Sequence, residues 1–278
     1  MEVYLDNSAT TRPCQQCIEA MSSCMREQYF NPSALYAPSV AMEKELLAAR
    51  RTIADRLQMG EHGVIFTSGG TESNKMAILG HMLGQRKDGT ILYTAAEHPS
   101  VKNACTETAL LLQHTAQEIP LTTRGSVDLE ALEKMLNPSV RLICVMQVCN
   151  ETGVVMPLPE IVQLRDRLAP AAAIHVDGVQ GFLRVPLSMT TLKIQSYSLS
   201  AHKIHGPKGV GALVIREGHR MRPILYGGGQ QNGMRSGTEN TSGILGLRAA
   251  VEAYPHYAFA CSQMLLLKRT LANLLLGK

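Results

Sequence analysis

The segment from Ser196 to Gly211 reads SYSLSAHKIHGPKGVG and joins two short β-rich runs through a polar, glycine-rich connection. The runs, Ser196–Leu199 and Val210–Ile215, predict two strands. Lys203 comes directly after the first strand, among small residues and ahead of a glycine-rich turn. A lysine in such a place can have a lowered pKa and act as an amine nucleophile. A solvated lysine in a hairpin turn is the competing interpretation.

Outward from this segment, short β-rich runs alternate with longer helical patterns, which predicts βαβ units and a mostly parallel sheet flanked by helices. The further strand candidates are Val64–Thr67, Ile91–Thr94, Leu142–Val148 and Ile174–Val176. Their apolar content is typical of strands buried on both faces. Amphipathic or apolar segments predict helices at Met42–Leu57, Met76–Met82, Val127–Met135, Leu158–Leu168 and Cys261–Leu276, the last of them packed on the domain.

Ligands bind beyond the carboxyl ends of the strands in an open parallel sheet, and polar residues follow each predicted strand here. Gly70 and Thr71 lie in a turn that can hold a phosphate at a helix N-terminus, or that simply caps the helix. His98 follows the next strand, as either a site residue or a surface residue. The later strands are followed by Asn150 and by Asp177 with Gln180, where Asp177 is an ion-pair partner or a helix cap.

Taken one at a time these features are weak, but five strand ends together offer an amine, an acid, an imidazole, amides and a phosphate turn. Pyridoxal phosphate (PLP) requires such a set: a lysine for its aldehyde, an acid for its ring nitrogen, donors for its ring hydroxyl and a phosphate pocket. The sequence therefore predicts a PLP site at the carboxyl edge of the sheet.

The same motifs, in the same order, resemble the NifS/IscS-type cysteine desulfurases, which are fold-type-I PLP enzymes related to class V aminotransferases. The resemblance runs to about Gly246 and rests on YLDNSATT from Tyr4, NPS from Asn31, TSGGTE from Thr67, EHP from Glu97, NETG from Asn150, DGVQ from Asp177, SAHK from Ser200, GGGQ from Gly227 and RSGTEN from Arg235. It implies the PLP-dependent transferase fold type I large domain.

The resemblance also implies roles for individual residues. Lys203 binds the cofactor covalently and moves the substrate's α-proton, and His98 stacks on the ring as an acid–base group. Asp177 keeps the ring nitrogen protonated. The remaining implied cofactor-binding residues contact the phosphate or the phenolic oxygen: Gly70, Thr71, Asn150, Gln180, Ser200, His202 and Thr238. Because Thr238 matches a threonine that reaches the other subunit's cofactor, a homodimer is implied.

Composition limits the alternatives. A formal charge of +4 over 278 residues, without a basic run, does not indicate a nucleic-acid binder. No apolar stretch is long enough to span a bilayer, and the N-terminus has no signal-peptide pattern, so we expect a cytoplasmic protein. The seven cysteines have neither the spacing of a metal site nor a second ligand pair, so we expect free thiols and no metal.

In the family that the chain resembles, a catalytic cysteine and a carboxylate-binding arginine lie in a small domain beyond the match. We therefore expect residues 1–250 to form the PLP-binding large domain, and residues 251–278 to be a helix that leads toward a missing small domain. None of the seven cysteines holds the catalytic position, and Cys149 is at most a surrogate. The chain is then a truncation that is inactive alone, or a second polypeptide completes it.

The implied reaction converts L-cysteine to L-alanine and passes the sulfur, as a persulfide, to an acceptor or an iron–sulfur scaffold protein. Two other functions stay open. One is a related PLP lyase, such as a selenocysteine lyase or a kynureninase-like enzyme. The other is a non-catalytic PLP-binding domain that serves in dimerisation or as a scaffold.

Overall fold

The computed structural model describes residues 3–85 and 89–277, and within these ranges seven strands form one sheet. The strands are β1 (Val64–Thr67), β2 (Thr90–Thr94), β3 (Thr115–Ile119), β4 (Val140–Met146), β5 (Ala173–Asp177), β6 (Ser196–Ser200) and β7 (Gly211–Ile215). Their order is β1-β7-β6-β5-β4-β2-β3. The prediction of a mostly parallel sheet is confirmed, because only β7 runs antiparallel to its two neighbours.

The reversal at β7 follows from the segment that connects it to β6. A right-handed crossover to a parallel strand needs a dozen residues or more, whereas only ten residues separate Ser200 from Gly211. This connection is long enough to place Lys203 on a short 3-10 turn, Ala201–Lys203, at the carboxyl end of β6. The next strand then runs back along β6, and β1 pairs with its far side.

The helices of the described ranges cover both faces of the sheet. They are α1 (Gln15–Glu27), α2 (Ala37–Leu57), α3 (Gly70–Met82), α4 (Pro99–Leu112), α5 (Leu129–Met135), α6 (Leu158–Leu168), α7 (Thr241–Ala253) and α8 (Tyr257–Leu276). Alternate residues of β4 face opposite sides: Leu142 and Cys144 pack with α3 and α4, whereas Ile143 and Val145 pack in the larger core with α2 and α6. This two-sided burial explains the continuous apolar run that predicted the strand.

The apolar stripe predicted for α2 is confirmed, because Met42, Leu46, Ala49, Ile53 and Leu57 are all buried. Three helices and one strand were not predicted. The strand β3 is an edge strand, and most of its residues are exposed, so it has no apolar run.

The three unpredicted helices are α1, α4 and α7. Gly246 in α7 lets α1 approach, since a Cβ there would lie 2.7 Å from the Cγ atom of Met21. Glycine inside a helix weakens the sequence signal that would otherwise indicate one.

The C-terminal helix α8 forms as predicted, but the prediction that it packs on the domain is wrong for most of its length. It contacts the body of the protein near its start through Cys261, whose Sγ lies 2.8 Å from the carbonyl oxygen of Arg184. Beyond Cys261 its leucines are exposed, at positions Leu265, Leu266, Leu267, Leu271, Leu274, Leu275 and Leu276. Among the described residues, no helix is long and apolar enough to cross a membrane.

Two stacked histidines, one of them buried, make the stability of the protein sensitive to acid. His81 in α3 is 6% exposed and stacks on His219 at 5.0 Å between ring centroids. Its Nε2 atom lies 3.0 Å from the carbonyl oxygen of Arg141, while its buried Nδ1 has no partner. Burial lowers the pKa of His81 to about 4, although the hydrogen bond that it donates to the carbonyl oxygen of Arg141 opposes the shift, and burial likewise lowers the pKa of His219 to about 4.

We expect the free energy of unfolding to fall as the pH drops from 6.5 to 4, by about 3 kcal/mol for His81. In that window the unfolded chain binds the proton and the folded chain does not, so the stability is present above the unfolded pKa and is lost on acidification. Urea titrations across this pH range test the prediction. His81→Phe should flatten the pH dependence, whereas the exposed control His62→Gln should not; equal slopes for the wild type and His81→Phe would contradict it.

Candidate active site

The carboxyl ends of β1, β2, β4, β5 and β6 surround one cavity of about 390 Å³. This volume lies within the usual range for small-molecule sites. Nine of the ten residues proposed from the sequence line it: Gly70, Thr71, His98, Asn150, Asp177, Gln180, Ser200, His202 and Lys203. Parallel strands end at the same edge of a sheet, so residues far apart in sequence meet there.

The amine of Lys203 points toward the N-terminal segment, which sequence reasoning did not place in the site. Its Nζ atom donates hydrogen bonds to the carbonyl oxygens of Ser8 at 2.5 Å and Ala9 at 2.8 Å. Burial lowers the pKa of Lys203, and the charge of Arg184 lowers it further, whereas Asp6 and Asp177 oppose the change. A lowered pKa makes the neutral, nucleophilic amine more abundant at neutral pH.

Asp177 ends β5 and is 4% exposed, so its carboxylate depends on donors from the protein. One oxygen accepts the backbone N–H of Val179 at 3.0 Å, and the other accepts the side-chain amide of Asn74 at 2.8 Å. Burial is the largest cause and raises the pKa of Asp177 overall, while these two donors, followed by the charges of His98 and Lys203, oppose the rise. The two fixed donors and the nearby Lys203 therefore offset part of the cost of burying the ionised carboxylate.

His98 caps α4 and has a defined tautomer when neutral. Its Nδ1 atom accepts the backbone N–H of Ser100 at 3.1 Å and lies 2.8 Å from the hydroxyl of the same residue. Because a backbone N–H can only donate, Nδ1 is the acceptor and the proton of the neutral ring lies on Nε2. Within the described ranges, the Nε2 atom makes no hydrogen bond.

The turn between β1 and α3 brings the backbone close to the cavity. Gly69 has φ = 150°, a conformation that favours glycine, and a Cβ on Gly70 would lie 2.6 Å from Cγ2 of Val179. Glu72 fixes the turn by accepting the Ser68 N–H at 2.6 Å and pairing with Arg235 at 2.7 Å. The N-terminus of a 13-residue helix is thus presented to the cavity.

Two hydroxyls flank this helix end, and in the described part of the chain the side chains of Thr71 and Ser200 make no hydrogen bond. The third predicted phosphate ligand, His202, lies 3.0 Å through its Nδ1 from the hydroxyl of Thr10. Burial lowers the pKa of His202, and the charges of Lys203 and Lys208 lower it further. The imidazole is therefore favoured as a neutral hydrogen-bonding group.

The two predicted amides differ in how they are held. Asn150 lines the cavity and its side chain makes no hydrogen bond within the described residues. Gln180 donates from Nε2 to the carbonyl oxygen of Ser8 at 2.9 Å, and its Oε1 accepts from Arg184 at 3.3 Å. Both lie where the sequence predicted, but their contact with a phenolic oxygen stays a prediction.

Thr238 is the predicted site residue that the structure does not bring to the cavity. It lies outside, beside Thr67, Ser68 and Arg235 at the back of the β1–α3 turn. A residue that acts across a subunit interface would not line its own protomer's cavity, so the role implied for Thr238 stays a prediction.

The cysteines do not supply a nucleophile at this cavity. None of the seven, all of which lie in the described ranges, lines it, and all are free thiols. Burial raises the pKa of Cys149, but hydrogen bonds involving Thr152 and the backbone lower it overall. Its side chain is buried in the larger core rather than facing the cavity. The described residues hold no cluster of three or more His, Cys, Asp or Glu side chains arranged for a metal ion.

The chemistry of these groups fits PLP. Lys203 provides an amine for the aldehyde, and Asp177 provides a buried acid for the ring nitrogen. The helix N-terminus with the unpartnered hydroxyls of Thr71 and Ser200 suits a phosphate. His98 lies on the same cavity with a free Nε2–H. The strain-prone Gly69–Gly70 turn, where a side chain would meet Val179, is the kind of close backbone approach that a phosphate cradle requires.

Comparison with known proteins agrees with this assignment. A family model described as aminotransferase class-V matches residues 3–276. A cysteine desulfurase from Nostoc sp. strain PCC 7120 is 40% identical over 252 residues, which are 90% of this chain and 62% of that protein. The chain thus spans about 62% of the length of the curated relatives that it matches.

Solved structures extend the likeness to the whole fold. A NifS-like protein superposes with a TM-score of 0.94 at 33% identity, covering 100% of this chain and 76% of that one. A structure of SspA in complex with cysteine superposes with a TM-score of 0.87 at 30% identity, covering 91% of this chain and 73% of that one. The chain belongs to the class-V aminotransferase family, is similar to NifS-like proteins, and shares their fold-type-I α/β architecture.

Proposed function

We propose that this chain forms the PLP-binding part of a cysteine desulfurase, which converts L-cysteine into L-alanine and passes the sulfur to an acceptor as a persulfide. The observation that carries the proposal is the meeting of Lys203, Asp177 and the N-terminus of α3 at one cavity. The family is PLP-dependent, and the three features match the aldehyde, the ring nitrogen and the phosphate of that cofactor.

Bound PLP supplies an electron sink for the substrate's α-carbon. Asp177 keeps the pyridine nitrogen protonated, because an ionised carboxylate with two donors favours a positive partner. The Nζ atom of Lys203 would hold the cofactor and would take the substrate's α-proton, and its lowered pKa favours the neutral form that this needs.

Other residues fix the orientation of the cofactor. His98 would stack on the ring, with its Nε2–H available to act on the substrate as an acid. Asn150 and Gln180 would bond the phenolic oxygen, for which Gln180 would exchange its hydrogen bond to the Ser8 carbonyl. Gly70, Thr71, Ser200 and His202 would hold the phosphate. Thr238 would reach the phosphate in the second subunit of a homodimer.

Cysteine is the proposed substrate because the Nostoc relative is a cysteine desulfurase and the SspA structure holds cysteine. The sulfur-accepting thiol must come from outside this cavity, since none of the seven cysteines lines it. A further segment, a sulfur acceptor or an iron–sulfur scaffold protein is the proposed source. We keep a cytoplasmic location as part of the proposal.

We expect the isolated 278-residue chain to bind PLP but to turn L-cysteine over weakly or not at all. No cysteine of the chain lines the cavity, so no thiol is held beside the substrate to accept the sulfur, and orientation of the reacting groups contributes several kcal/mol to catalysis. Alanine and sulfide release, measured with PLP and L-cysteine in the presence and absence of a small thiol, tests this. Turnover at the rate of a complete desulfurase would contradict it.

The same assay separates the alternatives. Preferential alanine release from selenocysteine, or cleavage of kynurenine, would favour a related PLP lyase. Binding of PLP with no product from any of the three amino acids, even with thiol added, would favour a non-catalytic dimerisation or scaffold domain.

A further inference from the structure

The side chain of Asn74 joins the two sides of the cavity through four hydrogen bonds. Asn74 lies on α3 and is 1% exposed. Its amide nitrogen donates to Asp177 at 2.8 Å and to the hydroxyl of Ser100 at 3.0 Å. Its oxygen accepts from Nε2 of His175 at 3.0 Å and from the hydroxyl of Ser198 at 2.5 Å. The two donors and two lone pairs of the amide are all used.

This arrangement admits one orientation of the amide. Asp177, when ionised, can only accept, so the nitrogen must face it and the oxygen must face His175 and Ser198. Burial lowers the pKa of His175 to about 3, so its ring is neutral. Its proton then lies on Nε2, while its Nδ1 accepts from the hydroxyl of Ser196 at 2.9 Å.

The amide nitrogen of Asn74 begins a second series of hydrogen bonds, which passes through Ser100 to His98. Ser100 accepts from Asn74 with its oxygen and lies 2.8 Å from Nδ1 of His98, to which its hydroxyl proton can be donated. The donor and the acceptor are therefore assigned for every hydrogen bond that links Ser196, through His175, Asn74 and Ser100, to His98. Asp177, proposed for the ring nitrogen, and His98, proposed to stack on the ring, are thus linked to the same buried amide, the first directly and the second through Ser100.

We propose that Asn74 is a positioning residue of the cofactor site, which holds the Asp177 carboxylate in its ionised form and, through Ser100, orients His98. The inference rests on the proposed function for its purpose, but its geometry does not depend on bound PLP. Other titratable groups also interact electrostatically with Asp177, and the variants that test Asn74 must leave these groups unchanged: His98, Lys203, Glu97, Tyr197 and Cys144.

The test titrates Asp177 by carboxyl ¹³C NMR in the cofactor-free chain, with Asp177→Asn to assign its signal. In Asn74→Ala we expect Asp177 to titrate about one pH unit higher or more, because a hydrogen bond to the charged form is lost. Reconstituted with PLP, the same variant should bind it about tenfold more weakly. Asn74→Ser, which is too short to reach Asp177, gives the same expectations if the alanine variant does not fold.

Ser198→Ala is the matched control, since it removes a buried hydrogen bond to the Asn74 oxygen and leaves the contact with Asp177 intact. It should lower the melting temperature without moving the Asp177 titration. If the Asn74 variants also lose only thermal stability and Asp177 titrates as in the wild type, the positioning role is wrong. A wild-type chain that binds no PLP would overturn the proposed function instead, and the Asp177 titration would still decide the role of Asn74.

Discussion

Replacing Lys203 with alanine is expected to abolish covalent attachment of PLP to this chain. The wild-type protein, incubated with PLP and reduced with borohydride, should carry one stable label on Lys203, found by peptide mass spectrometry. The variant should carry none there and should lose its PLP on dialysis. The reason is local: Lys203 is the lysine that lines the cavity, and burial with the charge of Arg184 lowers its pKa.

Lys208 provides the matched control, because it lies in the same glycine-rich connection but is exposed and does not line the cavity. Lys208→Ala should be labelled on Lys203 as the wild type is. The two variants together show whether PLP reacts with Lys203 specifically or with any lysine of this connection. Labelling of the Lys203→Ala protein at another single lysine, to the wild-type extent, would show that the anchoring residue is misassigned.

The position of Lys203 was predictable from the sequence because strand ends can be located from apolar runs. Polar residues after such runs meet at one edge whenever the strands are parallel, and nine predicted residues did so. The contacts that these residues make were harder to predict from the sequence. Ser8 and Ala9 bond Lys203 through their backbone carbonyls, and no side-chain pattern marks a carbonyl that approaches from 194 or 195 residues away.

Asn74 was missed for a different reason. It lies one turn into α3, after the glycine turn that predicted the phosphate site. A single buried asparagine adds nothing to the hydrophobic periodicity of a helix, so the sequence pattern does not mark it. His175 could have indicated it: a histidine two residues before Asp177 on the same strand faces the same side of the sheet, and a buried imidazole requires a partner. The unexpected exposure of α8 has a similar origin, because an apolar pattern predicts a helix but not what packs against it.

Replacing Asp177 with asparagine is expected to weaken PLP binding about 100-fold or more, because removing one partner of a buried ion pair leaves the other uncompensated. The side chain keeps its shape, but its new amide would oppose the N–H of Val179 or the amide of Asn74. Equilibrium titration with PLP, followed by the visible absorbance of the bound cofactor, measures the loss.

Glu97 is the control that makes this experiment decisive, because it is a second buried carboxyl group near Asp177. Burial, the largest cause, and the charge of Asp177 raise its pKa, hydrogen bonds from Thr94 and Met146 oppose the rise, and the resulting pKa is about 8. One of its oxygens accepts from Thr94 and from the N–H of Met146, both at 2.6 Å, while the other has no partner. A neutral acid suits that environment, and glutamine reproduces its shape and charge. Glu97→Gln should therefore bind PLP nearly as the wild type does. If it weakens binding as much as Asp177→Asn, then the negative charge of the site is shared by both carboxyl groups rather than held on Asp177.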